Sequence, residues 1–310
     1  MKVIDLHCDV LYKLAGTEEG ASFKNSDQLD VNLEKLKKGG VKAQVFAIFV
    51  DDHLNETQRY MEALRQVEKF QYEVIAPYEE MVHITDWQQF EQLEEHQIGA
   101  ILSLEGCDAI GESLEKLQSF IDAGILLAGL TWNHENAVAY GANEDATKGL
   151  KPFGYEVIQK LNDAKIIVDV SHLNEQGFWD VLKVTDRLIA SHSNAYAVRA
   201  HQRNLKDDQI KALIEHGGHM HCVFYPLFIK ESEQVTMTDL IEHIQHIANL
   251  VGADKIGLGS DFDGIDQKVI GLENASQYPM FLELLKPHFT EIEIEGIAAN
   301  NFERFISVIE

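Results

Sequence analysis

Short apolar segments alternate with longer amphipathic segments from one end of the 310-residue chain to the other. Most of the short segments are too apolar to be half exposed, which is typical of parallel strands that are covered on both faces. Such alternation predicts an α/β fold, either an open doubly wound sheet or a closed (β/α)8 TIM barrel. The eight candidate strands are Val3–His7, Gln44–Val50, Ala100–Glu105, Leu126–Trp132, Ile166–His172, Leu188–His192, His219–Phe224 and Ile256–Asp261.

Amphipathic helices are predicted between these strands. In Met237–Val251 apolar residues recur every three or four positions, and Gly252 is suited to end the helix. His243 and His246 lie off this apolar stripe and are predicted to be solvated. Residues from about 276 to 309 are predicted to form extra C-terminal helices on the outside. The other predicted helices are Asn55–Ala76, Asp86–His96, Glu112–Ala123, Pro152–Ala164 and Lys206–His216.

The composition narrows the class of protein. A formal net charge of −25 argues against an extended nucleic-acid contact, because such a contact needs a basic face. Three cysteines do not make a disulfide framework in a chain of this size. The sequence shows no signal-peptide pattern and no apolar run of about 18 residues, so we expect a cytoplasmic protein without a membrane contact. No linker or composition break divides residues 1–310, which are predicted to form one domain.

Side chains that can bind metals occur where the apolar segments end. In a parallel barrel these strand ends converge on one mouth, where active sites are found. An open sheet would instead gather its functional residues at one switch point. The candidates follow five different strands, which favours the closed barrel. They are His7, Asp9, Glu105, His172, His192 and Asp261.

The types and spacing of these residues predict two divalent metal ions. His7 and Asp9 are two residues apart on an extended strand, so both side chains can reach one ion. Imidazole and carboxylate ligands suit zinc or a similar first-row ion. Three histidines and three carboxylates are too many for one catalytic ion with an open position. They fit two ions when one carboxylate bridges, and Glu105, between the two ligand groups, is the natural bridge.

Six short motifs follow one another along the chain. They are His7-x-Asp9, Glu105-Gly106, Asp169-x-Ser171-His172, Ser191-His192-Ser193, Arg203-Asn204 and Gly259-x-Asp261-x-Asp263-Gly264. This ordered set, which is far more specific than any single motif, resembles that of the membrane (renal) dipeptidase family of the amidohydrolase superfamily. The resemblance extends from Asp5 to at least Gly264.

The resemblance implies how the ligands divide between two zinc ions. His7 and Asp9 match the residues that bind the first zinc in the family. His172 and His192 match the ligands of the second zinc, and Glu105 matches the glutamate that binds both. The cofactor implied for this chain is therefore a pair of divalent ions, with zinc as the expected metal.

The resemblance also implies catalytic and substrate-binding residues. Asp261 would lie at the first zinc, handle the proton of the attacking water and face the free amino group of the substrate. Arg203 would hold the terminal carboxylate. Many family members have a histidine after the fourth strand that polarises the scissile carbonyl, whereas this chain has Trp132 there. Either Asn133 or His134 is then a candidate for contacting the substrate instead.

The expected function is that of a zinc-dependent dipeptidase. It would hydrolyse short peptides with free amino and carboxyl ends by a hydroxide bridged between the metals, with Glu105 and Asp261 as its catalytic carboxylates. One alternative is another binuclear amidohydrolase that acts on an N-acyl amino acid, a lactone or a cyclic amide. A second alternative is a non-catalytic metal-binding barrel, against which the complete ligand set argues. The particular dipeptide, its stereochemistry and the presence of a homo-oligomer are left open by the sequence.

Overall fold

Parallel strands close into a barrel in the computed structural model, which describes residues 1–16 and 21–309. Eight strands form the barrel in the order β1, β2, β4, β5, β6, β7, β8, β9, and pairing of β2 with β4 closes it. The predicted (β/α)8 barrel is thus confirmed. The described strands are Val3–Asp5 (β1), Val41–Phe49 (β2), Met81–Ile84 (β3), Ile98–Glu105 (β4), Ile125–Gly129 (β5), Ile167–Asp169 (β6), Leu188–Ala190 (β7), His219–Cys222 (β8) and Ile256–Leu258 (β9).

Strand β3 was not predicted from the sequence. Its four residues pair with the first half of β4, from Ile98 to Ile101, while β5 pairs with the second half of β4. β3 therefore adds to the amino-terminal end of the barrel, away from the strand ends that carry the predicted ligands.

Helices cover the outside of the barrel in the described residues. The helix predicted at Met237–Val251 has those bounds, and a capping box between Thr236 and Asp239 begins it. The α-helices are Val10–Gly16 (α1), Leu33–Gly39 (α2), Glu56–Lys69 (α3), Leu114–Asp122 (α4), Pro152–Asp163 (α5), Glu175–Val181 (α6), Asp207–Glu215 (α7), Pro226–Ile229 (α8), Met237–Val251 (α9), Tyr278–Leu285 (α10), Glu291–Glu295 (α11) and Asn301–Ile309 (α12). Helix α3 continues as a π-helix over Phe70–Ile75, and a second π-helix, Gly296–Asn300, precedes α12.

Two sequence predictions about helices are wrong. The segment Asp86–His96 contains only a 3-10 helix, Trp87–Gln92, which buries Trp87 and Phe90. These side chains are three positions apart, which suits three residues per turn as well as an α-helix. His243 is fully buried, because α9 packs against α7, α8 and α10 and its second face is also covered. Its Nδ1 accepts a hydrogen bond from the Ala195 amide, and its Nε2–H donates to the Ile229 carbonyl.

The apolar side chains form two layers that follow the alternation of the strands. Ile4, Val45 and Ile101 belong to a cluster inside the barrel, whereas their neighbours along the strands pack outward against the helices. Phe302 and Phe305 of α12 belong to the inner cluster. Helix α12 therefore covers the amino-terminal end of the barrel and leaves the opposite end as the mouth. None of the described helices is long and apolar enough to cross a membrane.

Two buried histidines of β8 also lie inside this cluster. His219 Nδ1 is 3.0 Å from His221 Nε2, and their rings contact Phe305 and Phe302 respectively. Burial lowers the pKa of His219 to about 3 and lowers the pKa of His221 well below its usual value. Both imidazoles are therefore neutral in the folded protein at physiological pH.

We expect these histidines to make the barrel sensitive to acid. The pKa values of both histidines are lower in the folded state than in the unfolded state. Their contribution to stability is therefore complete above the unfolded-state pKa of about 6.5 and is lost as the pH falls below that value. Each histidine adds about 1.4 kcal/mol per pH unit to this loss. In denaturant titrations between pH 6 and pH 5, His219→Gln should therefore lose less unfolding free energy than the wild type. The same loss in both proteins would contradict this account.

Candidate metal centre

Glu105 lies at the end of β4 between two groups of side chains. Its Oε2 is 3.3 Å from His7 Nε2, while its Oε1 is 3.0 Å from His172 Nε2 and 3.8 Å from His192 Nε2. The two oxygens of one buried carboxylate thus face different imidazoles. Strands β1, β4, β6 and β7 bring these four residues together although they are spread over 186 positions of the sequence, from residue 7 to residue 192.

The remaining predicted ligands lie on the side of His7. His7 Nε2 is 3.4 Å from Asp9 Oδ2 and 3.9 Å from Asp261 Oδ1. The atoms of His7, Asp9 and Asp261 are close enough to hold one ion, as are those of His7, Glu105 and His192. The rings of His7 and His192 stack with centroids 3.8 Å apart. The structure therefore brings all six predicted ligands into one cluster at the mouth.

Several polar atoms in this cluster have no hydrogen-bond partner among the described residues. They are His7 Nε2, His192 Nε2 and Asp9 Oδ1, and all three are buried. His7 Nε2 is near carboxylate oxygens without aligning on them as a hydrogen-bond donor. Buried polar groups are normally satisfied, so unpaired imidazole nitrogens beside carboxylates fit a divalent cation.

The protonation of the imidazoles also suits metal binding at the second group. Burial lowers the pKa of both His172 and His192 well below the usual value. The Arg203 charge lowers the pKa of each further, so both are neutral and can bind a metal through Nε2. Burial opposes protonation of His7 as well, but Glu105 and Asp9 raise its pKa well above the usual value.

The carboxylates repel one another in the absence of a cation. Burial and the neighbouring Glu105 raise the pKa of Asp9 to about 6. Burial and Asp9 raise the pKa of Asp261 well above its usual value. Burial raises the pKa of Glu105, but His7, a hydrogen bond with Asp9 and the Arg203 charge together lower it below its usual value. Three carboxylates so close together are stabilised by bound positive charge.

Local backbone conformation places these side chains at the strand ends. His172 and Asp261 adopt left-handed conformations with φ of 66° and 64°, which are costly for residues with a Cβ and concentrate at functional sites. Gly106 has φ of 79°, and a Cβ there would lie 2.8 Å from the Trp132 amide nitrogen. A Cβ at Gly264 would lie 2.1 Å from Asp9 Oδ2. A side chain at either of these motif glycines would clash with a neighbouring atom, so both positions require glycine.

A second set of polar residues orients the imidazoles, and the sequence reasoning missed it. Ser191 Oγ is 2.6 Å from His192 Nδ1 and donates its own proton to Asp169. The serine oxygen can therefore accept the Nδ1 proton, which leaves Nε2 of His192 free for a metal. Asp5 is buried and accepts hydrogen bonds from the amide and hydroxyl of Ser260, joining β1 to the loop after β9. Asp169 belongs to one of the motifs that the sequence singled out, and Asp5 stands two residues before another.

Asn133 orients His172 in the same way. Its Oδ1 is 2.8 Å from His172 Nδ1, so the amide oxygen accepts the Nδ1 proton and Nε2 points to Glu105. His134 lies at the rim instead, with its side chain 47% exposed and its ring near Asp52 and Glu144.

We expect Asn133→Ala to weaken one metal position. Loss of the hydrogen bond to His172 frees the ring to turn, and such losses lower metal affinity by about 10- to 100-fold. A competition titration with a chelator would measure the affinity of each position. His134→Ala, one residue away, is the control and should leave both affinities unchanged. Equal affinities in Asn133→Ala and the wild type would contradict the orienting role.

Arg203 is buried beside the cluster. One guanidinium nitrogen donates to the His192 carbonyl at 3.2 Å, and the group lies 5.3 Å from the centre of the Phe228 ring. Its Nε has no partner, and no carboxylate among the described residues lies within 4.0 Å of the guanidinium. Burial lowers the pKa of Arg203 to about 10 against the attraction of Asp261 and Glu105. A buried cation without an ion-pair partner fits an anionic ligand.

A cleft of about 320 Å³ opens from the cluster to solvent. Asp9, Glu105, His172 and Asp261 form its floor, and Trp132 and Asn133 line its wall. Its other lining residues are Tyr12, Phe49, Tyr225, Phe228, Asp263, Gly264, Ile265 and Asp266.

A parallel barrel carries its active site at this mouth, and histidines and carboxylates gathered there can hold the metal ions of a hydrolase. The sequence model of the membrane dipeptidase family, peptidase family M19, matches residues 1–310, and the chain belongs to this family. It is a dipeptidase of the metallopeptidase type, as the sequence predicted.

Individual relatives agree with this assignment. The chain is 30% identical to the uncharacterized dipeptidase C965.12 of Schizosaccharomyces pombe over 98% of this chain and 79% of that protein. A second dipeptidase of the same yeast, C3A11.10c, is 32% identical over 87% of this chain and 71% of the relative. The solved structure of dipeptidase AC, of family M19, has a TM-score of 0.92 at 26% identity and covers 99% of this chain and 98% of its own. A metallo peptidase from Rhodobacter sphaeroides, solved with a phosphinate mimic of L-Ala-D-Ala, shares the fold with a TM-score of 0.93 at 24% identity, and the match covers 99% of each chain.

Proposed function

We propose that the chain is a dinuclear zinc dipeptidase that cleaves peptides with free amino and carboxyl ends. The observation that carries this proposal is the position of Glu105, whose two oxygens face different groups of imidazoles. His7, Asp9 and Asp261 would hold one ion, and His172 and His192 the other. When bound, two such ions supply a polarised carbonyl and a nucleophilic water near neutral pH.

The side chains of the protein would perform the remaining steps. Asp261 would take the proton of the attacking water and pass it to the leaving amine, since its pKa is raised by burial and by Asp9. Its charge would also attract the free amino group of the substrate. Arg203 would bind the free carboxylate, which supplies the partner that its buried guanidinium lacks. Asn133 and His134 remain predicted substrate contacts, although the geometry favours an orienting role for Asn133.

Other sequence predictions also remain proposals. We propose that residues 1–310 act as one domain, because the described strands share one sheet and α12 closes one end of that barrel with side chains that join its inner apolar cluster. The net charge of −25 supports a protein that does not bind nucleic acid. A cytoplasmic location stays a prediction from the sequence, and the presence of a homo-oligomer stays open.

The proposed function is tested by a substrate panel on metal-free and zinc-loaded protein. The panel contains dipeptides with L- or D-alanine in second position, their N-acetyl and amidated forms, an N-acyl amino acid and a lactone. We expect zinc-dependent hydrolysis of free dipeptides, with at least a tenfold lower kcat/KM when either end is blocked. Faster hydrolysis of the N-acyl amino acid or the lactone would favour the alternative amidohydrolase. Zinc binding without any hydrolysis would favour the non-catalytic barrel.

A further inference from the structure

One wall of the cleft is aromatic. The ring centroids of Trp132 and Phe49 are 5.2 Å apart at an interplanar angle of 61°, and those of Phe49 and Tyr12 are 5.4 Å apart at 71°. All three side chains are half-buried and line the cleft above the candidate metal cluster. Because each ring contacts the next edge to face, the wall is packed before any ligand binds.

The strand order sets this wall opposite the proposed carboxylate site. Arg203 lies between β7 and β8, and its guanidinium packs on the Phe228 ring. Going round the barrel, the position opposite the gap between β7 and β8 is the gap between β2 and β4. Phe49 is the last residue of β2, and Trp132 follows β5 on the same half of the mouth. The metal cluster lies between the two sides.

This arrangement fixes the direction of a bound dipeptide. Arg203 packs on Phe228, which lines the cleft, so a substrate carboxylate held there and a peptide bond over Glu105 would extend the first residue toward the aromatic wall. We propose that Trp132 and Phe49 bind the side chain of this first residue and select dipeptides in which it is large and apolar. The proposal rests on the proposed function, and it gives a role to Trp132, which stands where many family members have a histidine.

The surroundings of Trp132 support a binding surface. The centroid of its ring is 6.2 Å from that of His172, a proposed ligand, and 5.9 Å from that of the exposed His134. The indole thus spans the depth of the cleft from metal cluster to rim. We expect the apolar surface of the indole to bind a large apolar side chain most tightly, because their contact removes apolar area of both the indole and that side chain from water.

The test measures kcat/KM of the zinc-loaded protein for dipeptides that differ only in the first residue. The series has glycine, alanine, leucine or phenylalanine first, with alanine of the preferred configuration second. For the wild type we expect phenylalanine and leucine to exceed glycine by tenfold or more, as is common for apolar pockets. Trp132→Ala and Phe49→Ala should each lower this ratio at least about tenfold. Trp132→Phe keeps an aromatic ring, so its ratio should stay within about threefold of that of the wild type.

The outcomes separate this inference from its premise. Trp179→Phe is the matched control, because it removes an indole that belongs to α6 and lies outside the cleft. This variant should leave the ratio unchanged. An unchanged ratio in Trp132→Ala would overturn the inference and leave the dipeptidase intact. An equal loss of kcat/KM for all four substrates in both Trp132 variants would also overturn the inference. Such a loss would come from the missing indole N–H or from a disturbed fold, and not from contact with the first side chain of the substrate. Absence of dipeptide hydrolysis in the wild type would overturn the proposed function itself.

Discussion

Glu105→Ala is expected to lower kcat/KM for dipeptides by on the order of a thousandfold or more and to reduce metal occupancy at both positions. The reason is that the two oxygens of this carboxylate face His7 on one side and His172 on the other. Removing it leaves each ion with one ligand fewer and removes the charge that balances them. Metal analysis after dialysis, together with initial rates at saturating zinc, measures both effects.

His172→Ala provides the comparison for Glu105→Ala. A terminal imidazole belongs to one ion, so this variant should lose occupancy mainly at one position. Glu144→Gln is the matched control, because Glu144 is a glutamate at the rim that contacts His134 and none of the cluster. It should keep both ions. Loss of a single ion in both Glu105→Ala and His172→Ala would contradict the bridging role.

Arg203→Ala is expected to show the second-largest effect. Its guanidinium is buried without a carboxylate partner among the described residues, so a substrate carboxylate would complete an ion pair in a site shielded from water. Loss of such a pair costs about 2–5 kcal/mol, or tens- to thousands-fold in kcat/KM. The loss should fall on dipeptides with a free carboxylate and spare the amidated analogues, which are already poor substrates.

Two further variants separate binding from folding. Arg203→Lys should recover only part of the activity, because an ammonium cannot make two parallel bonds. Arg199→Ala removes a nearby arginine that pairs with Glu231 at the surface, and it should leave both substrate types unaffected. If Arg203 only holds its loop through the His192 carbonyl, Arg203→Ala will weaken both substrate types by the same factor and lower the Tm. Kinetics and melting on one preparation decide between these readings.

The barrel could be predicted because its signal is spread over the whole chain. Eight buried strands are visible as apolar runs, and strand pairing then determines where their ends meet. Strand β3 was not predicted, because its four residues, Met81–Ile84, are too few to show a clear period and pair with only half of one strand. His243 was assigned to solvent because helical periodicity describes one apolar face, whereas α9 is packed on two sides.

The ligand cluster was predictable because each member ends an apolar run. The residues that orient it were not, since their role depends on distances across strands. Asp169 holds Ser191 from the neighbouring strand, and Ser191 in turn holds His192. Asn133 was considered only as a substrate contact, although its amide oxygen lies 2.8 Å from His172 Nδ1. Such contacts follow from the twist and register of the barrel, which a single sequence does not reveal.

The metal content of the wild-type protein tests the central claim most directly. Protein stripped with a chelator and titrated with zinc should bind two ions per chain, because the donors of six side chains meet around Glu105. Dipeptide hydrolysis should reach its maximum only as the second ion binds. Elemental analysis of the saturated protein, with rates measured on the same samples, gives both numbers. Two zinc ions per chain at full activity would agree with the account, whereas full activity at one ion or none would contradict it.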